Sequence, residues 1–187
     1  MSLPIDFELG VWNAWIFMIP SIFTWPFFFR LAEVRAPHPS TSGLSKLKVI
    51  FCVFSKLIFI PAVIYSFFLP LKLGTTWFYV GLPITLIGLI GSVIILVNWA
   101  NTKPGKPVTK GLYRYSRHPM YVTNFVFLLG VSIITASWIF LLITIIMIIG
   151  AVVFIGLEEQ QCIDHYGKAY REYMKKTPRW IGIPKSR

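Results

Sequence analysis

Residues 111–121 read Gly-Leu-Tyr-Arg-Tyr-Ser-Arg-His-Pro-Met-Tyr, which sets Arg114, Arg117 and His118 at the mouth of an apolar stretch that begins at Pro119. One apolar hairpin later come Glu158 and Glu159. Ionisable groups beside hydrocarbon are costly and mark sites more often than scaffolds. Arg117 and His118 precede a helix N-terminus, where extra positive charge is locally unfavourable. The arrangement makes sense if an anion is held there by cations and backbone N–H groups together; the plainer alternative is that Arg114 and Arg117 hold lipid phosphates. A carboxylate, in turn, is suited to accept two hydrogen bonds from a ribose diol. The chain has neither a G-x-G-x-x-G fingerprint nor a Walker A loop, so a nucleotide would be bound in another way. His38, His118 and His165 lack metal-ligand spacing, and no metal site is expected.

The elements that must position these groups are membrane helices. The chain has 187 residues and is 56% hydrophobic, more than a soluble domain of this size needs. Five apolar runs, at 11–29, 49–69, 76–97, 119–135 and 138–157, each have roughly 17–22 residues, about what a ~30 Å hydrocarbon core requires. The expected fold is all-α: a polytopic membrane protein with five transmembrane helices and a cytoplasmic C-terminal helix. The flank of the first run carries Asp6 and Glu8 and no Lys or Arg, which argues against a cleaved signal peptide.

The net charge of +11 is distributed as an orientation signal rather than a nucleic-acid face. Basic residues crowd the first loop, the third loop and the tail, and the opposite side has only Lys72. This predicts the N-terminus outside, the C-terminus in the cytoplasm, attraction to anionic lipid headgroups and no nucleic-acid partner. Cys52 and Cys162 would lie on the reducing side, unpaired.

Residues 1–97 read as a three-helix scaffold, and 98–187 as the part that forms the site. Pro20, Pro26 and Pro61 should kink the scaffold. Gly88 and Ser92 form a small-xxx-small pair for close helix contact. Trp12, Trp15, Trp77 and Trp99 fall near run ends, as in aromatic belts. Lys56 lies about 12 Å into the second run, counted from Lys48; it either snorkels or meets an anionic substrate group. Pro119 suits the first turn of a helix. The turn at Ala136-Ser137 is so short that the hairpin must return to the face it left, placing Glu158 and Glu159 beside Arg117, His118 and Tyr121. The stretch 158–176 reads as an amphipathic helix with Ile163, Tyr166, Tyr170 and Tyr173 on one face, lying on the membrane interface, packed on the bundle or forming a lid over a cofactor.

The R-H-P-M-Y stretch, the apolar hairpin, the Glu-Glu pair and the following His-Tyr-Gly-Lys-Ala-Tyr-Arg-Glu-Tyr together resemble the integral-membrane methyltransferase superfamily, over roughly residues 98–184. That group includes isoprenylcysteine carboxyl methyltransferase and the phospholipid N-methyltransferases, and the compact build is similar to prokaryotic or archaeal relatives of the former. The resemblance implies S-adenosylmethionine as methyl donor. It also implies a donor pocket lined by Val108, Tyr113, His118, Pro119, Met120, Tyr121, Glu158 and Glu159. The implied acceptor is lipophilic and reaches the site from the bilayer. One departure stands out. Eukaryotic isoprenylcysteine enzymes carry an arginine four residues before the first of these glutamates, and this chain has Phe154 there. Arg117, Arg171 and Lys56 are the candidate replacements. No catalytic residue and no oligomeric state follow from the sequence. Membrane sterol reductases, which resemble this C-terminal architecture, and a non-enzymatic membrane module are the rival classes.

Overall fold

The computed structural model describes residues 10–24 and 57–184. Helices α1 (Trp15–Thr24), α2 (Phe59–Ser66), α3 (Thr76–Ala100), α4 (Pro119–Ile134), α5 (Trp138–Tyr166) and α6 (Lys168–Lys176) follow one another, with a 3-10 turn at Gly111–Arg114. No strand occurs among the described residues; a lone bridge joins Asn13 to Pro70. The all-α expectation holds. Among the described residues two helices, α3 and α5, are long and apolar enough to cross a bilayer, while α1 and α4 are shorter apolar helices. Residues 25–29 of the first expected span and 49–56 of the second, with Lys56, Cys52 and Pro26, lie outside the described residues.

The elements pack because small residues remove the obstacle between α3 and α4. A Cβ on Gly88 would fall 2.6 Å from Phe127 Cα, and one on Gly130 would fall 2.7 Å from Thr85 Cα. The backbones therefore touch, as the Gly88–Ser92 pair suggested. Ser92 Oγ donates to Gly88 O at 2.9 Å and reaches Thr123 Oγ1 at 3.4 Å. Pro20 sits inside the regular helix α1, whereas the helical pattern breaks at Ile58, one turn before Pro61. Pro61 has no N–H to bond back to residue 57, and its ring crowds that carbonyl.

The α4–α5 hairpin is as tight as the sequence implied. Ala136 takes a positive φ of 48°, and Ser137 Oγ accepts the N–H of Phe140 at 3.2 Å, capping α5. This end is closed by a buried cluster of Ala14, Met18, Ala62, Leu69, Phe127, Leu128, Val131 and Phe140. Ala14 N–H bonds Leu69 O, and Lys72 N–H bonds Ile134 O. A second cluster, of Ile95, Tyr113, Tyr170 and Tyr173, fills the opposite end.

The tail departs from expectation. The helix does not end with the apolar run at Leu157 but continues to Tyr166, so 158–176 is not one helix. Glutamate and glutamine are good helix formers, and the hydrogen-bond ladder carries on through them. The break comes at Gly167, whose φ of 56° turns the chain into α6. At 1.5 Å per residue α5 is about 44 Å long, so its last turns project beyond a ~30 Å apolar core. Glu158 and Glu159 sit just past the apolar run.

Gly130→Val forces a side chain into the backbone of α3. It should destabilise the bundle by about 2 kcal/mol or more, read as a lower melting temperature in detergent. An unchanged melting curve would contradict the close α3–α4 approach.

Candidate functional site

Pro119 occupies the first turn of α4, where its missing N–H costs nothing, and the chain enters it through His118. His118 N–H donates to Ser116 Oγ at 3.0 Å, which fixes the bend just ahead of the helix. The hairpin then delivers the carboxylates. Tyr121 donates its hydroxyl to Glu158 Oε1 at 2.6 Å. His118 sits between the two acids, with Nδ1 3.7 Å from Glu158 Oε2 and Nε2 3.2 Å from Glu159 Oε1. Arg117 NH2 lies 2.9 Å from Glu159 Oε1. Arg117, His118, Tyr121, Glu158 and Glu159 are thus brought together, as the short turn required.

Beside them stands the aromatic cluster at this end of the bundle. Tyr113, in the 3-10 turn, packs with Val108 and Met120 against Tyr170 and Tyr173 of α6. Trp99 Nε1 donates to Tyr113 Oη at 2.7 Å. Tyr173 donates its hydroxyl to Tyr113 O at 2.7 Å and also reaches Ser116 O at 3.3 Å. Burial pushes the phenols of Tyr113, Tyr170 and Tyr173 well above the ordinary tyrosine range, so their hydroxyls keep their protons. Gly111 opens the turn with a φ of 60°, and a Cβ there would strike the amide of Asn98. Only glycine combines that backbone angle with so close an approach.

The last component was not legible as such. After α6 the chain runs back along the loop as a strap, residues 177–182. Arg117 N–H bonds Pro178 O at 2.9 Å, Ser116 Oγ bonds Arg179 O at 3.3 Å, and Gly182 N–H bonds Tyr115 O at 3.0 Å. The strap inserts Arg179, whose Nε donates to Glu159 Oε1 at 3.2 Å and whose NH2 donates to Glu159 Oε2. That hydrogen bond outweighs partial desolvation and raises the Arg179 guanidinium further above its ordinary value. From the sequence, Arg179 counted only as tail charge. The available signal was Thr177-Pro178, which cannot continue α6 and so must turn the chain somewhere. Trp99 and Tyr173 also do more than their expected belt and packing roles.

The remaining candidates fall elsewhere. Arg171 is exposed on α6, Phe154 is buried in the core-facing side of α5, and Lys56 lies outside the described residues. Among the described residues no group of His, Cys, Asp and Glu is placed to hold a metal ion. Among the described residues, the buried donors Arg117 Nε and Asn98 Nδ2 have no hydrogen-bond partner. Leaving such groups unsatisfied costs roughly 1–3 kcal/mol each, so they are natural places for ligand or water oxygens to settle.

Comparison with known proteins falls on this same region. A sequence model of the phospholipid methyltransferase family matches residues 98–169. Over 78 residues, 41% of this chain, the sequence is 35% identical to a protein-S-isoprenylcysteine O-methyltransferase of Schizosaccharomyces pombe. That alignment spans 32% of the yeast protein, about a third of its length. Residues 98–169 are thus similar to this membrane methyltransferase family. The family segment holds the loop, the hairpin, both glutamates and the Gly167 break, while the strap with Arg179 lies beyond its end at 169.

Tyr173→Phe removes the hydroxyl that ties α6 to the 3-10 turn. It should lower stability by about 1 kcal/mol, the net worth of one neutral hydrogen bond, in denaturant unfolding of the detergent-solubilised protein. A cost indistinguishable from zero would reduce Tyr173 to a packing residue.

Proposed function

We propose that this protein is an S-adenosylmethionine-dependent methyltransferase that acts on a lipophilic acceptor at the membrane interface. The observation that carries the proposal is the Tyr121–Glu158 pair. It is a partly exposed carboxylate held by a phenol and a histidine, at the mouth of an apolar hairpin, inside the segment matched to the family.

The residues present fit the donor chemically. Glu158 offers acceptors suited to a ribose diol. Val108, Tyr113 and Met120 supply apolar and aromatic surface beside it. Arg117 Nε and Asn98 Nδ2 are unspent buried donors for carboxylate or ring acceptors. Pro119, at the start of α4, fixes the direction of His118 and Tyr121. The bound donor supplies a sulfonium methyl group, which is transferred by in-line displacement. What the protein contributes is orientation and the exclusion of water. A carboxylate acceptor is already the nucleophile and needs no base. In a dry site its charge and the sulfonium's neutralise each other along the path, which favours the transition state over the solvated ions. His118 is committed at Nε2 to Glu159, and Glu159 to two arginines.

We favour carboxyl methylation of a prenylated cysteine or a similar lipophilic acid. The support is the 35% identity to the yeast isoprenylcysteine enzyme and the clustering of Arg117 and Arg179 at the site. Phe154 in place of an arginine argues for permissive acceptor recognition, since an aromatic ring cannot replace a bidentate guanidinium. The family model, which is that of the phospholipid methyltransferases, supports a second reading: methylation of a phosphatidylethanolamine amine. That acceptor must lose a proton, and Glu158 is the more accessible of the two acids. Five spans, with the N-terminus outside and the site and tail in the cytoplasm, complete the proposal; the asymmetry of Lys and Arg supports that orientation.

Two measurements test this. The purified protein, given labelled S-adenosylmethionine, should methylate a farnesylated cysteine analogue to a base-labile ester. Base-stable product from phosphatidylethanolamine alone would move the assignment to the amine lipid. For topology, a cysteine placed by Lys106→Cys should react with an impermeant reagent only from the cytoplasmic side. Labelling from outside alone would reverse the orientation.

A further inference from the structure

We infer that Glu159 is a positioning residue that bolts the 177–182 strap across the loop leading into α4, which leaves Glu158 as the glutamate that meets the donor in the proposed function. The role of Glu158 rests on the methyltransferase reading; that of Glu159 stands on the geometry alone.

Acceptor capacity and burial set Glu159 apart. A carboxylate has about four lone-pair directions. Glu159 meets four donors: His118 Nε2, Arg117 NH2, and both Nε and NH2 of Arg179. Nothing remains to accept a ribose diol. Its side chain is 4% exposed, against 27% for Glu158. Taking Glu159 for a ligand would mean breaking a buried, charge-assisted cluster, and removing one partner from such a cluster costs several kcal/mol. Glu158, held by Tyr121 and beside His118, is the more exposed of the two.

The strap gives Glu159 a reason to be saturated. Segment 177–182 has no regular secondary structure to hold it. It stays in place through the backbone bonds from Arg117 and Gly182, the Ser116 contact, and Arg179 on Glu159. Arg117 joins the two parts. Its backbone bonds the strap at Pro178 O, its NH1 donates to Met174 O on α6, and its NH2 pairs with Glu159. The bolt therefore fixes the loop that carries His118, and through His118 it fixes the direction of the imidazole facing Glu158. Glu159 touches neither ligand nor reacting atoms; it sets where Arg117, His118 and the strap stand.

The test compares Glu158→Gln, Glu159→Gln, Arg179→Gln and the Glu159→Gln/Arg179→Gln double variant of the full chain in nanodiscs. Two readings are taken: S-adenosylhomocysteine affinity by calorimetry, and the rate of tryptic cleavage after Lys176. Glu158→Gln should weaken binding roughly ten- to hundredfold, the scale of a charge-assisted hydrogen bond, with cleavage at the wild-type rate. Glu159→Gln and Arg179→Gln should both speed cleavage severalfold and weaken binding by a smaller, shared factor. The double variant should be no worse than either single one, as expected of partners in one interaction. If Glu159→Gln weakens binding as much as Glu158→Gln while the strap stays protected, the division of labour is overturned. Should Glu159→Gln fail to fold, Arg179→Gln decides the bolt by itself, since its guanidinium is half exposed; wild-type cleavage there would overturn it. Wild-type protein that does not bind S-adenosylhomocysteine would refute the donor reading and the role of Glu158, while cleavage would still judge the strap.

Discussion

A carboxylate buried at Glu159 is the constraint on which this end of the molecule depends. Removing a charged group from water costs several kcal/mol unless partners replace the lost hydration. Three elements are drawn in to supply them. The loop before α4 brings Arg117 and His118, α5 brings the acid itself, and the strap after α6 brings Arg179. Weakening any one of the three leaves charge exposed to a poor environment, so the cluster fixes their mutual positions more tightly than apolar packing could. An apolar contact would allow them to slide; a carboxylate with four directed donors does not.

The scaffold makes that convergence possible by geometry rather than by strength. The glycine-lined approach of α3 and α4 places the 3-10 turn directly over the end of α3, where Trp99 holds the Tyr113 hydroxyl. The capped turn at Ser137 sends α5 straight back along α4. Because α5 outruns its apolar segment, the acids emerge at the level of His118 and not within the hydrocarbon. The molecule is thus tied at both ends: a hydrophobic cluster and backbone bonds at the turn, and a mixed aromatic and ionic cluster at the site.

Much of this was legible in the sequence because it followed from chain topology. A short turn between two apolar runs forces the residues at their far ends together, whatever the packing details, and Tyr121 does meet Glu158. Pro119 marked the start of α4 because its ring tolerates only the first turn. The helix boundary near Glu158 was harder, because a change in polarity is not a change in backbone preference. Hydropathy falls at Glu158, yet the backbone turns only at Gly167, where φ is positive. Arg179 was out of reach for a different reason. Nothing in Pro178-Arg179-Trp180 states that the chain will double back, and its partner lies 20 residues earlier on another element. Long-range ion pairs leave no periodic trace.

The chemistry that follows is economical if the acceptor is a carboxylate. The site then needs a donor pocket, a dry path and a cation near the acid, and no proton has to move. The two arginines on Glu159 would also give an incoming anion a favourable field at the edge of the cluster, although Phe154 stands where the eukaryotic relatives place an arginine. An experimental structure with S-adenosylhomocysteine bound tests the central claim most directly. The account predicts the ribose on Glu158 beside Tyr121, with Glu159 still gripped by Arg117 and Arg179 and the strap in place. A ribose on Glu159 with Arg179 displaced, or a nucleoside bound away from both glutamates, would contradict it.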